Sequence, residues 1–315
     1  MSDAVALFPR GAQPDHVPND VVVEFDVYSP PKMQEGFHEA WKVLQDSDRG
    51  NIVWTPCNGG HWIATSAALI PEVLSDYETF SSRSVIVPRE VGETYHILPT
   101  HLSPPEHRPF RKLLNAGLSP KRIISLQPQV EKAIADLVEG VREKGECCFT
   151  TDIAVLFPTA IIMIILGLPV EDGPYLKQWA DHIMRPNGTV TIPEAEAKLI
   201  EYLRPIIADR QANPQDDMIS VLTQVEYTAL GRRLSDDEIN GVVYAMVIGG
   251  LETTQYALAE QAQLLVERPG LFAQLREERD LIRPFIEEAM RLRSPTQGLS
   301  TRITSQDEVF QGVPV

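Results

Sequence analysis

The chain has 315 residues, 43% of them hydrophobic, and a formal charge of −16 at neutral pH. That apolar share supports a sizeable core and excludes disorder over most of the length. The acidic balance excludes nucleic acid and anionic membrane as general partners, since both would repel it.

Residues 1 to 30 are rich in Pro and Asp and read as an extended arm. The N-terminus has no basic leader followed by an apolar run, so a secreted form is not expected. From Gly36 to Gln45 the apolar residues Phe37, Ala40, Trp41 and Leu44 fall on one helical face. Asn51 to Thr65 alternates around Pro56-Cys57-Asn58-Gly59-Gly60, which is turn chemistry, and predicts a β-hairpin. A further helix is expected over Pro71 to Tyr77. Residues 81–105 show no steady period and contain four prolines, Pro88, Pro99, Pro104 and Pro105, so they predict a long loop, a feature that is often functional.

From there to residue 293 helices follow one another, broken briefly at Pro or Gly. Ala154 to Val170 is the most apolar stretch. It falls just short of the ~20 residues a membrane span needs and predicts a buried helix. A cytoplasmic protein without a membrane anchor is the expectation. Arg302 to Val315 returns to short strand-like segments. The cysteines, Cys57, Cys147 and Cys148, form neither a disulfide framework nor a zinc spacing and read as reduced thiols.

The most informative element is a long helix over 235–267. Ser235 and Glu238 make a capping box at its start. In its middle stand Gly249-Gly250-Leu251-Glu252-Thr253-Thr254. Each glycine costs about 1 kcal/mol relative to alanine there, a carboxylate among Val243, Ala245, Met246, Val247, Ile248 and Leu251 is costly to bury, and a threonine hydroxyl can compete for helix carbonyls. Such a concentration of unfavourable choices points to a site. The plainer alternative is a glycine pair used for helix packing, with the glutamate in solvent.

Gly249-Gly250-Leu251-Glu252-Thr253 resembles the oxygen-activation motif [AG]-G-x-[DE]-T of the cytochromes P-450. Glu288-Ala289-Met290-Arg291 fits the E-x-x-R pattern of that family. Pro105 to Arg111 resembles its H-x-x-x-R helix, and Arg302 matches a further arginine. The segments Trp54 to Thr65 and Pro88 to Tyr95 are similar to the camphor-hydroxylating branch, and the likeness runs from about residue 15 to the last residue.

The resemblance implies a single domain over 1–315, mainly α with small β-sheets, in the triangular-prism P-450 fold. It implies a monomeric monooxygenase carrying haem b and using O2, with Glu252 and Thr253 catalytic through proton delivery during oxygen cleavage. His107, Arg111 and Arg302 would hold haem propionates, and Gly249 and Gly250 would let the haem side approach the helix. Lys177, Asp181 and Arg185 would hold the acid in an ion-pair network, while Glu288 and Arg291 would be structural. Electrons would come from a 2Fe-2S ferredoxin and its flavin-dependent reductase, with Arg108, Arg111 and Lys112 as a basic cluster on the docking face.

The substrate implied is a small apolar terpenoid ketone, camphor-like or a norisoprenoid. Tyr95 would hydrogen-bond the ketone, with Thr100, Gly298 and Leu299 also in the pocket. Ile86 and Ile97 replace phenylalanines of the camphor-hydroxylating branch and Ala245 replaces leucine, which enlarges or reshapes the pocket. The family's haem loop, F-x-x-G-x-x-x-C-x-G, does not occur among these residues. The expectation is therefore a C-terminally truncated fold, whose 315 residues alone would lack the thiolate. Two other readings stand beside this one. One is a haem-free binding protein of the same fold. The other is a helical terpene synthase, which needs a D-D-x-x-D motif that Asp236-Asp237-Glu238-Ile239-Asn240 does not supply.

Overall fold

A computed structural model describes residues 8–46, 49–94, 97–184, 189–226, 231–296 and 301–315. Its elements group into two compact units. The first comprises residues 1–96, 100–107 and 298–315, and the second residues 97–99 and 108–297.

The first unit holds the small sheets. Strands β1 (Ile52–Thr55) and β2 (His61–Ala64) form the expected antiparallel hairpin, with Trp54 opposite Trp62 and Thr55 opposite His61. Its loop turns through three consecutive positive φ values, at Asn58, Gly59 and Gly60. Glycine supplies that conformation without steric cost. The N-terminal arm is pinned to this loop: the Gly11 N–H donates to the Pro56 carbonyl (2.8 Å) and the Gly59 N–H to the Pro9 carbonyl (2.8 Å). The arm is not wholly extended, since a 3₁₀ turn interrupts it at Asn19–Val21.

Helix α1 (Phe37–Gln45) lays Ala40 and Leu44 inward, and Phe25, Leu44, Val53 and Ile63 make a core cluster with Trp41 packed on it. Helix α2 (Leu69–Ser75) starts two residues before the expected position. The 81–105 segment, read as loop, contains one helical turn, α3 (Arg89–Gly92), whose last residue sits under the Ile86 carbonyl, where a Cβ would come within 2.1 Å. Strand β3 (Phe80–Ser81) pairs antiparallel with β4 (Ile303–Thr304), and β5 (Val309–Phe310) with β6 (Val313–Pro314).

The second unit is helical: α4 (His107–Gly117, whose first residue belongs to the first unit), α5 (Pro120–Arg142), α6 (Leu156–Leu166), α7 (Gly173–Met184), α8 (Ile192–Ala212), α9 (Met218–Gln224), α10 (Asp236–Glu267), α11 (Leu271–Glu277) and α12 (Ile282–Leu292). The apolar stretch expected as one helix over Ala154 to Val170 is shorter. A π-helical turn occupies Thr150–Ala154, and Gly167, at φ +76°, closes α6. No helix among the described residues is long and apolar enough to cross a membrane.

Helix α10 runs unbroken from Asp236 to Glu267, starting where the capping box implied and ending where the helical pattern did, and both arms of that box form. The Glu238 N–H donates to the Ser235 hydroxyl (3.2 Å), and the Ser235 N–H donates to the Glu238 carboxylate (2.8 Å). Arg232 also donates to that carboxylate and holds Glu238 below the usual carboxylate range.

A buried ion pair ties α8 to α9. The Arg210 guanidinium donates to the Asp217 carboxylate (2.7 Å) and to the Gly167 carbonyl (3.2 Å), while Asp217 also accepts from the Ser220 N–H (2.7 Å) as the N-cap of α9. Their side chains are 12% and 5% exposed. Arg210 also donates to the more exposed Asp209 (2.7 Å), so Asp217→Ala leaves it partly compensated but removes the buried partner and the α9 cap. The substitution is expected to cost about 2–4 kcal/mol, read as a lower midpoint in urea unfolding. In the first unit, burial holds the His61 imidazole below its ordinary value, with the Cys57 backbone and the Asp26 charge opposing. A base whose folded pKa is depressed contributes stability that is present above its unfolded value and lost as pH falls through the folded one. Unfolding measured from pH 7.5 downwards should therefore show stability falling below about pH 6.5, and His61→Gln should flatten that fall.

Candidate functional site

The chemistry-bearing residues of α10 occupy distinct faces. Ala245, Gly249 and Thr253 are spaced by four and lie on one face, since such residues stack along a helix. Gly250, about 100° further round, faces α6, and a Cβ there would lie 3.0 Å from Ile162 Cδ1. A Cβ at Gly249 would meet nothing within 4 Å. The two glycines therefore do different work. Gly250 is the helix-packing residue of the plainer reading, and Gly249 leaves open space beside the helix.

Thr253 returns its hydroxyl hydrogen to the Gly249 carbonyl (2.8 Å). This is the competition for a helix carbonyl expected of a mid-helix threonine, and here it leaves the helix continuous. Ala245, Glu252 and Thr253 are half-buried, whereas Leu251 is buried. Further up the helix Gly241 packs against Leu98, whose Cδ1 would lie 3.1 Å from an added Cβ. Leu98 thereby borders the Ala245 face, a neighbour that sequence reasoning missed because it depends on a contact across more than 140 residues.

The expected anion-binding residues are separately placed. His107 and Arg111 stand one turn apart at the start of α4, His107 half-buried and Arg111 exposed. Arg302, in the first unit, is half-buried, and its guanidinium donates to the Thr301 carbonyl (2.8 Å). No carboxylate pairs with it among the described residues, and burial alone pushes it below its ordinary value. A half-buried guanidinium left without a carboxylate is suited to a carboxylate brought by a ligand.

Other expected roles are only partly met. Lys177 donates to Asp181 on α7, and α7 packs against α10. That pair lines an open groove of about 340 Å³ with Val155, Leu156, Thr159, Pro174 and Gln178, and none of residues 249–253 lines it. Glu288 and Arg291 form a two-pronged pair (2.7 and 2.6 Å) on α12, with side chains 55% and 67% exposed. Exposure of that kind makes the pair a weak contributor to stability. Ile86 and Ile97 are half-buried and Thr100 is exposed. Tyr95, Arg185, Gly298 and Leu299 lie outside the described residues.

A profile for the family described as Cytochrome P450 matches residues 174–315. The solved structure of CYP101J2 superposes with a TM-score of 0.87 at 37% identity, covering 96% of this chain and 75% of that one. This chain belongs to the cytochrome P450 family. Its mainly helical fold with small sheets is the P450 fold, and the family's cofactor is haem b, with O2 as co-substrate. The chain is also 32% identical over 256 residues to "Steroid C26-monooxygenase" of Mycolicibacterium smegmatis, and 28% identical over 310 residues to "Probable cytochrome P450 127A1" of Sinorhizobium fredii. Those matches take in 62% and 74% of the respective relatives' lengths.

Two features, each within its own unit, have chemistry that suits a haem. In the second unit Gly249 leaves room for a flat group against α10. In the first, Arg302 has no carboxylate partner among the described residues and suits a propionate. No axial ligand is assigned, because Cys57 belongs to the hairpin loop and Cys147 and Cys148 to the α5–α6 connection. The different work of the two P450 glycines can be measured. Gly249→Ala should raise stability by up to about 1 kcal/mol through helix propensity. Gly250→Val should lower it, because the α10–α6 contact must open. Urea unfolding of both variants, with equal losses as the contrary result, decides it.

Proposed function

We propose that the chain forms the oxygen-handling and substrate-orienting part of a monooxygenase that hydroxylates a small apolar terpenoid ketone, with electrons from a 2Fe-2S ferredoxin reduced by a flavoprotein. The observation that carries the reading is the Thr253–Gly249 hydrogen bond beside open space on the Ala245–Gly249–Thr253 face. Haem, when bound, supplies the iron at which dioxygen is activated.

The protein's part is to hold and deliver protons. A hydroxyl has one hydrogen and two acceptor lone pairs. With its hydrogen committed to the Gly249 carbonyl, Thr253 is set to accept a hydrogen bond rather than to give one. Glu252, the adjacent carboxyl, is the group that can exchange protons. In this reading Thr253 holds a protonated partner in place and Glu252 feeds the proton. Arg302, and separately His107 and Arg111, hold carboxylates of the cofactor.

The substrate assignment rests on the likeness of Pro88 to Tyr95 to the camphor-hydroxylating branch. A phenol hydroxyl at Tyr95 would select a ketone by penalising analogues that lack the acceptor. Ile86, Ile97 and Ala245 replace larger side chains of that branch and allow a bulkier or differently shaped ketone; Thr100, Gly298 and Leu299 complete the assigned pocket. The exposed Arg108, Arg111 and Lys112 of α4 are cations that an acidic ferredoxin could meet.

The test uses a haem-loaded form that carries the family's haem-ligand loop, with camphor, a ferredoxin and its reductase. Thr253→Ala should lower hydroxylated product per dioxygen consumed by about 100-fold while dioxygen consumption continues, and Thr253→Ser should restore much of the yield. Equal product yields in wild type and Thr253→Ala would overturn the assigned role, and failure of any terpenoid ketone to shift the haem absorption would overturn the substrate class.

A further inference from the structure

Helix α5 ends at Arg142, and the chain reaches the π-helical turn Thr150–Ala154 through a segment in which residues 146–148 belong to no helix or strand. Two adjacent thiols, Cys147 and Cys148, stand there. Both are exposed and neither is in a disulfide. The other cysteine, Cys57, is single and half-buried in the hairpin loop.

Cys148 is held at the start of the turn. Its N–H donates to the Asp152 carboxylate (2.9 Å), and its carbonyl accepts from the Asp152 N–H (2.9 Å). The side chain and then the backbone of Thr151 favour the thiolate and hold Cys148 below the usual thiol range, with desolvation and then the Asp152 charge opposing. Cys147 lies next along the chain. An exposed thiol with a second exposed thiol next to it, able to resolve it, is the arrangement that reacts reversibly with oxidants.

We propose that Cys147-Cys148 is a peroxide-oxidisable dithiol, in which Cys148 is attacked first and Cys147 closes a disulfide between neighbouring residues. In the first step the Cys148 thiolate takes one oxygen of hydrogen peroxide, the O–O bond breaks, and hydroxide leaves. The product is a sulfenic acid. In the second step the Cys147 sulfur attacks the Cys148 sulfur, the S–O bond breaks, and water leaves with the Cys147 proton. The two thiols lose two electrons and two protons in all, and peroxide becomes two waters.

Neighbouring Cα atoms are about 3.8 Å apart, closer than the roughly 4.4–6.8 Å usual across a disulfide. The bridge is therefore strained, which makes it readily reduced by a dithiol. The Thr150–Ala154 turn packs against α5, α6 and α10, so the bridge would form at the edge of the central packing without entering it.

The experiment treats the reduced protein, freed of reductant, with a single equivalent of hydrogen peroxide. The thiol titre should fall from three to one, since the chain holds three cysteines. The mass of the single chain should fall by two hydrogens, one peptide should contain both linked cysteines, and a dithiol should restore the titre. In Cys147→Ser the sulfenic acid at Cys148 should persist and be trapped by dimedone. In Cys148→Ser oxidation should slow by about tenfold or more. A stable dimedone adduct in the wild type, a cross-link between two chains, or first oxidation at Cys57 would each overturn the proposal. The wild-type peptide map decides even where a variant misfolds.

Discussion

The contact between α10 and α6 is the constraint around which the second unit is organised. Helix α6 presents Ile162, buried, to a position of α10 where a side chain would crowd it, and glycine at 250 removes the conflict. The helix gives up roughly 1 kcal/mol of propensity at each glycine. Burial of Val242, Val243, Val247, Ile248 and Leu251 along the same helix offsets this many times over, at about 1.5–3 kcal/mol for each large side chain. Because these apolar residues carry α10, its remaining face is more lightly packed, with Leu98 beside Gly241 at one end and open space at Gly249. Ala245, Gly249 and Thr253 occupy that face. The face proposed to be functional thus carries less of the helix's apolar packing than the face turned to α6.

How far the sequence disclosed this depends on the range of the interaction concerned. The limits of α10 were legible because its start is a local device: Ser235 and Glu238 cap each other within four residues. The hairpin was legible because Asn58-Gly59-Gly60 adopts the positive φ values that those residue types favour. The π-helical turn before α6 was not, since Thr150–Ala154 has no local signature and its register is settled by packing on α5, α6 and α10. The helical turn at Arg89–Gly92 was hidden among prolines for a similar reason. Gly92 is fixed by the Ile86 carbonyl above it, a contact with no periodicity to betray it.

The site divides in the same way. Motif residues on one helix could be placed from spacing alone, so Gly249, Gly250 and Thr253 fall on the faces that a 3.6-residue repeat dictates. The burial of charged pairs could not. Glu288 and Arg291 do bond each other, as an i,i+3 pair can, yet they do so in solvent. Lys177 and Asp181 bond along α7 and border a groove away from residues 249–253. The identity of a partner three or four residues away is a property of the helix. Burial of the pair is a property of everything packed around it, and a single sequence does not record that.

The Gly249 carbonyl accepts from the Thr253 hydroxyl within the helix itself. That bond costs Thr253 its only donor. A threonine in this state can fix the orientation of a group that carries a proton, and it cannot itself be the source. Under the proposed function the proton must then come from the neighbouring carboxyl or from water that it orders. Glutamate in place of aspartate reaches one methylene further for that purpose. The motif therefore contains two roles that differ in kind: an acceptor locked by the helix backbone, and a longer, separately placed acid. Bonding back into its own helix is what holds the threonine in the first role.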